Sequence, residues 1–224
     1  MTLKVSVLVS GSGSNLQALI DARRTGLLDI EINHVISNVA AARALQRAER
    51  DGIATSVLEH GRFADREDFD QALAVLMASG RPDLVVLAGF MRIIGPRALQ
   101  PFQGKMINLH PSLLPKYRGT DTYRRAIEAG DREHGASIHF VTGELDGGPV
   151  VSQVVIPILD GDDPEALAAR LAPMEHHLVV ATVRFMTRYR VECADSAVRV
   201  DGSEIVAPLR LDKDGELRAN ETCS

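Results

Sequence analysis

The chain has 224 residues, of which 45% are hydrophobic and 25% are charged, an ordinary globular balance that suffices for one substantial core. The formal net charge of -5 argues against a dedicated nucleic-acid or membrane-surface binder, since either would need a basic face. No stretch is long enough to span a bilayer, and the two cysteines, Cys193 and Cys223, imply no disulfide framework and indicate a reducing cytoplasm. We expect a single domain over 1–224, with a core over about 3–190 and a C-terminal hairpin and loose tail over about 191–224.

Strands alternate with helices along the first half of the chain. Apolar, β-branched runs predict the strands, and apolar residues at helical spacing predict the helices. The predicted strands cover 3–10, 32–36, 54–58 and 83–88, a fifth ends near 106–107, and the predicted helices cover 16–26, 40–50 and 66–79. Such alternation produces right-handed crossovers, so the sequence predicts an α/β, Rossmann-like fold with a mainly parallel twisted sheet and helices on both faces.

A glycine-rich loop, Gly11-Ser12-Gly13-Ser14-Asn15, joins the first strand to the first helix. Glycines allow close approach of backbone N–H groups, and a helix start adds unpaired donors and the positive end of its dipole, an arrangement that can cradle a phosphate. Leu16 stands where a dinucleotide-binding loop has its third glycine, and no Gly-Lys-Ser/Thr follows as in a P-loop. The loop therefore suggests a monophosphate site, with a simple tight turn as the alternative.

Two further segments follow predicted strands, namely 89–96 and the Asn108-x-His110 pair. Ligands of parallel α/β sheets collect beyond the carboxyl ends of the strands, so we expect both segments and the glycine loop to converge on one edge. Asn108 and His110 share one strand face, where an amide donor and an imidazole suit a reaction that builds negative charge on a carbonyl oxygen. The alternative is a strand end with a capped turn.

The second half of the chain contains a predicted helix over 120–130 and two strands, 135–142 and 150–158, close enough to form an antiparallel hairpin. In the loop between them, Gly147-Gly148-Pro149 forces a tight bend that would hold Asp146 in place as a general base or a charge partner for an imidazolium. A turn-forming aspartate is the alternative. His134 and His139 are expected to be structural.

The last part of the chain begins with Asp163-Pro164, a helix start with an N-cap and a proline at the first helical position. Beyond the helix, 198–200 and 204–206 flank Asp201-Gly202-Ser203 and predict a hairpin, so the sheet should have an antiparallel C-terminal extension. The stretch over 211–224 is polar and expected to be loose.

Four segments of this chain, in matching order, resemble the glycinamide ribonucleotide transformylase (phosphoribosylglycinamide formyltransferase) family of purine biosynthesis. The segments are Gly11-Ser12-Gly13-Ser14-Asn15-Leu16, Leu87-Ala88-Gly89-Phe90-Met91-Arg92-Ile93, Asn108-Leu109-His110-Pro111-Ser112-Leu113-Leu114-Pro115 and Leu145-Asp146-Gly147-Gly148-Pro149. The resemblance implies transfer of a formyl group from the co-substrate 10-formyltetrahydrofolate to the amine of a phosphoribosyl glycinamide, without a metal ion. The implied partners are these small molecules, with no nucleic acid and no membrane, and the protein would be a monomer or homodimer.

The same resemblance implies roles for individual residues. It implies Asn108, His110 and Asp146 as catalytic residues. It implies Gly13, Ser14 and Asn15 as the phosphate site and Glu175 as a contact to the phosphoribosyl part. It implies Arg66, Met91, Arg92, Ile93, Ile94, Thr142, Gly143, Glu144 and Leu145 as folate-binding residues, with Arg66 suited to the glutamate carboxylate.

This chain departs from the family pattern at two places. Where the family reads Gly-Leu-His-Thr-His, it has Gly119-Thr120-Asp121-Thr122-Tyr123, so any help from those histidines is absent or replaced. Pro173 lies inside the last predicted helix, where we expect a kink or a fresh start that would change the direction of the Glu175 side chain.

Two other functions stay open, a hydrolase and a non-catalytic binder, and a third, a tRNA-directed transferase, is disfavoured. A formyltetrahydrofolate hydrolase shares the Asn-x-His and Asp signature, but it needs no phosphate site and usually carries an extra N-terminal domain, for which we expect no room. A methionyl-tRNA formyltransferase would need an RNA-binding domain and a more basic face. A non-catalytic folate or nucleotide binder would keep Arg66 and the glycine loop without requiring His110 or Asp146.

Overall fold

The computed structural model describes residues 2–219 of the chain. Its strands are β1 (Leu3–Val9), β2 (Ile30–Ser37), β3 (Thr55–Val57), β4 (Leu84–Leu87), β5 (Met106–His110), β6 (Glu133–Phe140), β7 (Val150–Pro157), β8 (Val191–Ala194), β9 (Ala197–Val200), β10 (Ser203–Glu204), β11 (Leu209–Leu211) and β12 (Leu217–Arg218). Its helices are α1 (Ser14–Arg24), α2 (Arg43–Arg50), α3 (Arg66–Ser79), α4 (Pro96–Leu99), α5 (Thr122–Glu128) and α6 (Pro164–Arg188), with short 3₁₀ turns at His60–Arg62 and Gln100–Phe102.

The chain forms two compact units. The first unit comprises the chain up to Asn108 together with Val141–Gly143. Its strands lie in the order β5-β4-β1-β2-β3, and each neighbouring pair is parallel. Residues 5–9 of β1 are fully buried, because β1 lies between β2 and β4 and is covered on both faces.

Helix α3 shows why these elements form where the sequence predicts them. The side chain of Asp65 accepts a hydrogen bond from the backbone N–H of Asp68 and so caps the first turn. One stripe of the helix, Phe69, Leu73 and Met77, is buried in the hydrophobic core of the first unit. The predicted bounds of this helix, 66–79, are confirmed.

The second unit comprises Leu109–Phe140 and the chain from Glu144 onward. Strands β6 and β7 form the predicted antiparallel hairpin, and α6 packs on both. Strands β8, β9 and β10 form a separate antiparallel sheet. The α/β class, with a mostly parallel sheet, flanking helices and an antiparallel C-terminal part, is confirmed.

The expectation of a loose tail is wrong for residues 211–218. Strand β11 pairs in parallel with β7, and β12 pairs with β11. Leu209 is buried, and Arg184 of α6 donates to the carbonyl of Gly215, so burial and a hydrogen bond hold this segment. Residues 220–224, with Cys223, lie outside the described residues.

The expectation of a fresh helix start at Pro173 is also wrong, because α6 runs through it without interruption. An interior proline costs about 3 kcal/mol. The helix buries Leu167, Leu171, Leu178 and Val179 on the two sides of the proline, and burying each such side chain contributes about 1.5–3 kcal/mol. Packing therefore outweighs the lost hydrogen bond. Within residues 2–219, no helix is long and apolar enough to cross a membrane.

Candidate active site

Three predicted site segments meet at one edge of the parallel sheet in the first unit. Strand β4 pairs with β1 on one side and with β5 on the other, and Leu87 lies opposite Asn108. The Ser10 N–H donates to the carbonyl of Gly89 at 3.1 Å, which joins the glycine loop to the segment after β4. The glycine loop, Gly89 and Asn108 therefore lie at one edge of this sheet, as the sequence predicts for these three.

The glycine loop lines a pocket of about 190 Å³ at the start of α1. Its lining residues are Ser10, Gly11, Ser12, Gly13, Ser14, Asn15, Ala88, Gly89 and Met91. The amide oxygen of Asn15 is buried and has no hydrogen-bond partner among the described residues. The first turn of α1 carries no acidic side chain, so the unpaired N–H groups and the dipole of the helix start leave the pocket suited to an anion.

Both the backbone conformation at position 13 and its close contact with Ala44 require a glycine there. Its φ is 70°, in the left-handed region, and an added Cβ would lie 2.6 Å from the Cβ of Ala44 in α2. We expect Gly13→Ala to lower the free energy of unfolding by about 1–3 kcal/mol and to weaken binding of a phosphorylated ligand. Denaturant unfolding and ligand titration measure both.

The matched control for this substitution is Gly11→Ala. An added Cβ at Gly11 meets no atom within 4 Å, and this variant should unfold as the unsubstituted protein does. Equal losses of stability in the two variants would contradict the steric requirement at Gly13.

In the second unit, a buried cluster of one carboxylate and two imidazoles forms around Asp146. His110 Nδ1 lies 3.5 Å from Asp146 Oδ2, and His139 Nε2 lies 3.6 Å from Asp146 Oδ1. His110 is only 5% exposed and His139 only 2%. The structure thus brings together two predicted catalytic residues and adds His139, for which the sequence pattern predicts a structural role. Alternation along β6 indicates its face, but no local signal identifies its partner.

The loop after β5 supplies further partners for this cluster. The Gly119 N–H donates to Asp146 Oδ2 at 2.9 Å, and His110 Nε2 lies 2.9 Å from the carbonyl oxygen of Tyr117. Asp146 itself has a φ of 47°, a left-handed conformation that aspartate adopts more readily than most residues. The turn over 143–149 therefore holds the carboxylate in place, as predicted.

The pKa values of the two predicted catalytic groups diverge. Burial, the largest influence, lowers the pKa of His110, although the Tyr117 carbonyl and the charge of Asp146 oppose it. Burial alone would raise the pKa of Asp146, but hydrogen bonding to His139 and to the Gly119 N–H, with the charges of both imidazoles, lowers it overall. At neutral pH the site therefore combines a neutral imidazole with a carboxylate anion.

Hydrogen-bond partners also assign the ring protons. A carbonyl oxygen can only accept, so Nε2 of His110 donates to Tyr117, and Nδ1 of His139 donates to Phe140 at 2.9 Å. In the neutral His110 ring, the Nδ1 that faces Asp146 is then unprotonated. One added proton would bind between a ring and the carboxylate. The cluster can therefore take up the proton that an amine releases when it attacks a carbonyl group.

The predicted folate residues are divided between the two units. In the first unit, Arg66 is more than half exposed and donates to the carbonyl of Ile93 at 3.2 Å, while its Nε lies 3.8 Å from the buried Asp70. Met91, Arg92 and Ile93 are exposed and can contact a ligand. Ile94, in contrast, is buried in the hydrophobic core.

The other predicted folate residues lie in the loop after β6. Thr142 and Gly143 belong to the first unit, and Glu144 and Leu145 belong to the second. Glu144 forms an ion pair with Arg118, and Leu145 is half exposed. Leu145 therefore offers an apolar surface beside Asp146.

Tyr123, one of the departures from the family pattern, has a polar and an aromatic partner. Its hydroxyl donates to Glu175 Oε1 at 3.4 Å, and its ring centroid lies 5.2 Å from that of His134. Burial and the neighbouring Glu175 raise the pKa of Tyr123 well above its usual value, so the hydroxyl stays protonated as a donor. The tyrosine thus provides a neutral donor to the predicted phosphoribosyl contact.

In the described part of the chain, no group of three or more His, Cys, Asp or Glu side chains is arranged to hold a metal ion.

Comparison with known proteins gives consistent matches. Residues 3–183 match the family model described as formyl transferase. The chain is 43% identical over 203 residues to the phosphoribosylglycinamide formyltransferase of Escherichia coli (strain K12), covering 91% of this chain and 96% of that protein. It is 39% identical over 193 residues to the human trifunctional purine biosynthetic protein adenosine-3, covering 86% of this chain and 19% of that protein.

Solved structures match over nearly the whole chain. The phosphoribosylglycinamide formyltransferase of Coxiella burnetii, solved in complex with CHES, superposes with a TM-score of 0.87 at 42% identity, covering 92% of this chain and 97% of that one. The glycinamide ribonucleotide transformylase 1 of Symbiobacterium toebii superposes with a TM-score of 0.85 at 37% identity, covering 89% and 94%.

Proposed function

The chain belongs to the formyl transferase family, and from that membership we propose that it is a phosphoribosylglycinamide formyltransferase. It transfers a formyl group to the amine of N1-(5-phosphoribosyl)glycinamide, a step of de novo purine biosynthesis. The observation that carries this function is the uncharged, donor-rich pocket at the glycine loop, because a formyl folate hydrolase has no phosphate to bind. The 96% coverage of the Escherichia coli enzyme supports the same function.

The chemistry follows from the groups around Asp146. Attack of the amine on the formyl carbon gives a tetrahedral adduct whose oxygen becomes negative, and the attacking nitrogen must lose a proton. The adduct then collapses: the bond from the formyl carbon to the folate nitrogen breaks, and that nitrogen takes up a proton and leaves as part of the deformylated folate. The Nε2–H of His110, which donates to the Tyr117 carbonyl in the free protein, would exchange that acceptor for the adduct oxygen, with the Asn108 amide as a second donor. Asp146, anionic at neutral pH, accepts the proton directly or through water.

The formyl donor is 10-formyltetrahydrofolate, used as a co-substrate without a metal ion. Arg66 would bind the glutamate carboxylate of the folate, and the exposed Met91, Arg92 and Ile93 would contact its ring system. Thr142, Gly143, Glu144 and Leu145 would complete the folate contacts, with Ile94 contributing through its backbone because its side chain is buried.

The implied partners are small molecules, with neither nucleic acid nor membrane. The net charge of -5 supports this, since polyanionic surfaces would repel the chain. The low cysteine content supports action in a reducing cytoplasm. The protein is expected to be a monomer or homodimer.

An acceptor-dependence assay tests the proposed function. We expect deformylated folate, followed by its absorbance, to accumulate only when phosphoribosylglycinamide is present, because the amine is the attacking group. Equal turnover without the acceptor would instead identify a hydrolase. Folate binding without turnover under either condition would identify a non-catalytic binder.

A further inference from the structure

The pocket at the glycine loop is lined by uncharged residues. Among the residues that line it in the described part of the chain, none carries a charged side chain. A phosphate dianion bound there would be held by backbone N–H groups, so the direction in which each peptide of the loop points decides the strength of the site. Beyond the dipole of α1, a charged side chain that favours the anion, and the contacts that orient these peptides, would lie behind the loop.

Helix α2 lies behind the loop and binds two successive carbonyl groups of it. The backbone N–H of Ala44, an unpaired donor of the first helical turn, donates to the carbonyl of Gly11 at 3.1 Å. One residue further along the loop, Nε of Arg47 donates to the carbonyl of Ser12 at 2.8 Å. Both carbonyl oxygens therefore point toward α2.

Because the peptide bond is planar, the direction of these two carbonyl groups fixes the direction of the N–H groups that follow them. In a trans peptide the C=O of one residue and the N–H of the next point in opposite directions. The peptides after Gly11 and Ser12 are trans, so the N–H groups of Ser12 and Gly13 point away from α2. Both residues line the pocket, and two successive N–H groups turned to one side form an anion-binding concavity.

Arg47 also ties the loop to the helix that follows it. Its Nη1 donates to Gln17 Oε1 of α1 at 3.0 Å, while its Nε holds Ser12. One planar guanidinium thereby links α2, the loop and α1 in a fixed geometry, which a lysine ammonium cannot reproduce with its single donor centre. Its charge lies directly behind a peptide of the pocket wall and attracts an anion through it.

We propose that Arg47 is a positioning residue for the phosphate pocket: it turns the Ser12–Gly13 peptide so that its N–H faces the phosphate, and it supplies the positive charge that the pocket wall lacks. This inference rests on the proposed function, since it takes the phosphoribosyl acceptor as the ligand. Arg47 acts through the loop backbone and has no part in the formyl transfer itself.

The test compares Arg47→Met and Arg47→Lys with Arg50→Met, which removes the same charge from an exposed position of the same helix. We expect Arg47→Met to raise the KM for phosphoribosylglycinamide about tenfold or more, with kcat and the folate KM unchanged within about twofold. Arg47→Lys should have an intermediate KM, and Arg50→Met should match the unsubstituted enzyme. With the acceptor riboside that lacks the phosphate, all variants should have the same kcat/KM.

Two results would overturn the inference. One is an acceptor KM in Arg47→Met equal to that in Arg50→Met. The other is an equal loss of kcat/KM on acceptors with and without the phosphate, which would indicate general damage to the fold. Melting temperatures measured in the absence of ligand serve as the control for such damage. Arg47→Lys provides a milder variant if Arg47→Met loses stability.

Inorganic phosphate separates this inference from the proposed function. We expect phosphate to raise the melting temperature of the unsubstituted protein and of Arg50→Met, and to raise that of Arg47→Met much less. If the protein shows this pattern of phosphate protection but has no transferase activity, the proposed function is refuted and the role of Arg47 in the phosphate pocket stands. Equal phosphate protection in all variants would refute the role of Arg47 even if the transferase activity is found.

Discussion

Asp146→Asn is expected to lower kcat by about a hundredfold or more, while the KM for formyl folate stays nearly unchanged. The carboxylate is the anion of a buried cluster, within 3.6 Å of both imidazoles. An amide of the same shape keeps the packing, but it can neither accept a proton from the attacking amine nor carry the charge that a protonated imidazole needs. The loss should therefore fall on the chemical step, measured by steady-state kinetics.

The pKa of His110 provides a second measurement of the effect of Asp146→Asn. The charge of Asp146 raises the pKa of His110, against the larger effect of burial. Removing that charge should lower the pKa of His110 further, and NMR of the imidazole protons measures the shift. A His110 pKa that rises or stays constant in Asp146→Asn would contradict the pairing.

Asp162→Asn is the matched control, since Asp162 is also a nearly buried carboxylate with a lowered pKa, in its case because Arg170 and the Leu159 N–H bond to it. The substitution should reduce stability while leaving kcat intact. A fall in kcat of similar size in both variants would remove Asp146 from the mechanism.

His110→Ala should likewise lower kcat by about a hundredfold or more, because one preorganised donor to the developing oxyanion is lost. The donor is the Nε2–H, which donates to the Tyr117 carbonyl at 2.9 Å and would exchange that acceptor for the adduct oxygen. Folate binding should persist, since the predicted folate contacts are other residues. Single-turnover rates and folate titration separate the two effects.

His34→Ala is the control for this second substitution. His34 is a buried histidine of β2 whose Nε2 lies 2.9 Å from the Ser56 hydroxyl, and burial lowers its pKa as it does that of His110. Truncating it removes a comparable volume and should cost stability but not turnover. Unchanged turnover in His110→Ala would exclude the imidazole from catalysis.

Much of the fold could be predicted because its signals are local. Helix α3 has its cap, its apolar stripe and its terminating glycine within one short segment, and its predicted bounds agree with the structure. Strands β1 and β4 are continuous apolar runs, the pattern of a strand buried on both faces. Where the bounds differ, as at α2, which begins at Arg43 instead of residue 40, the difference lies at a helix end.

The predictions that failed concern segments that packing decides. Pro173 would end an isolated helix, yet the buried leucines on either side of it keep α6 continuous. The polar stretch after Leu211 has no apolar pattern of its own, yet β12 forms because β11 offers it a partner. Neither outcome can be derived from local propensity, because the stabilising contacts come from distant residues.

The candidate site divides in the same way. The amino-acid sequence by itself determined the α/β class and the glycine loop at a strand-to-helix junction, because residue type and short spacing carry that information. The resemblance of its motifs to the family supplied Asn108, His110 and Asp146 as the catalytic candidates. Only the tertiary structure decided that Asp146 lies between His110 and His139, and that Arg47 binds the Ser12 carbonyl. These contacts join residues far apart in the chain, and they form only once the strands and helices that carry them have packed.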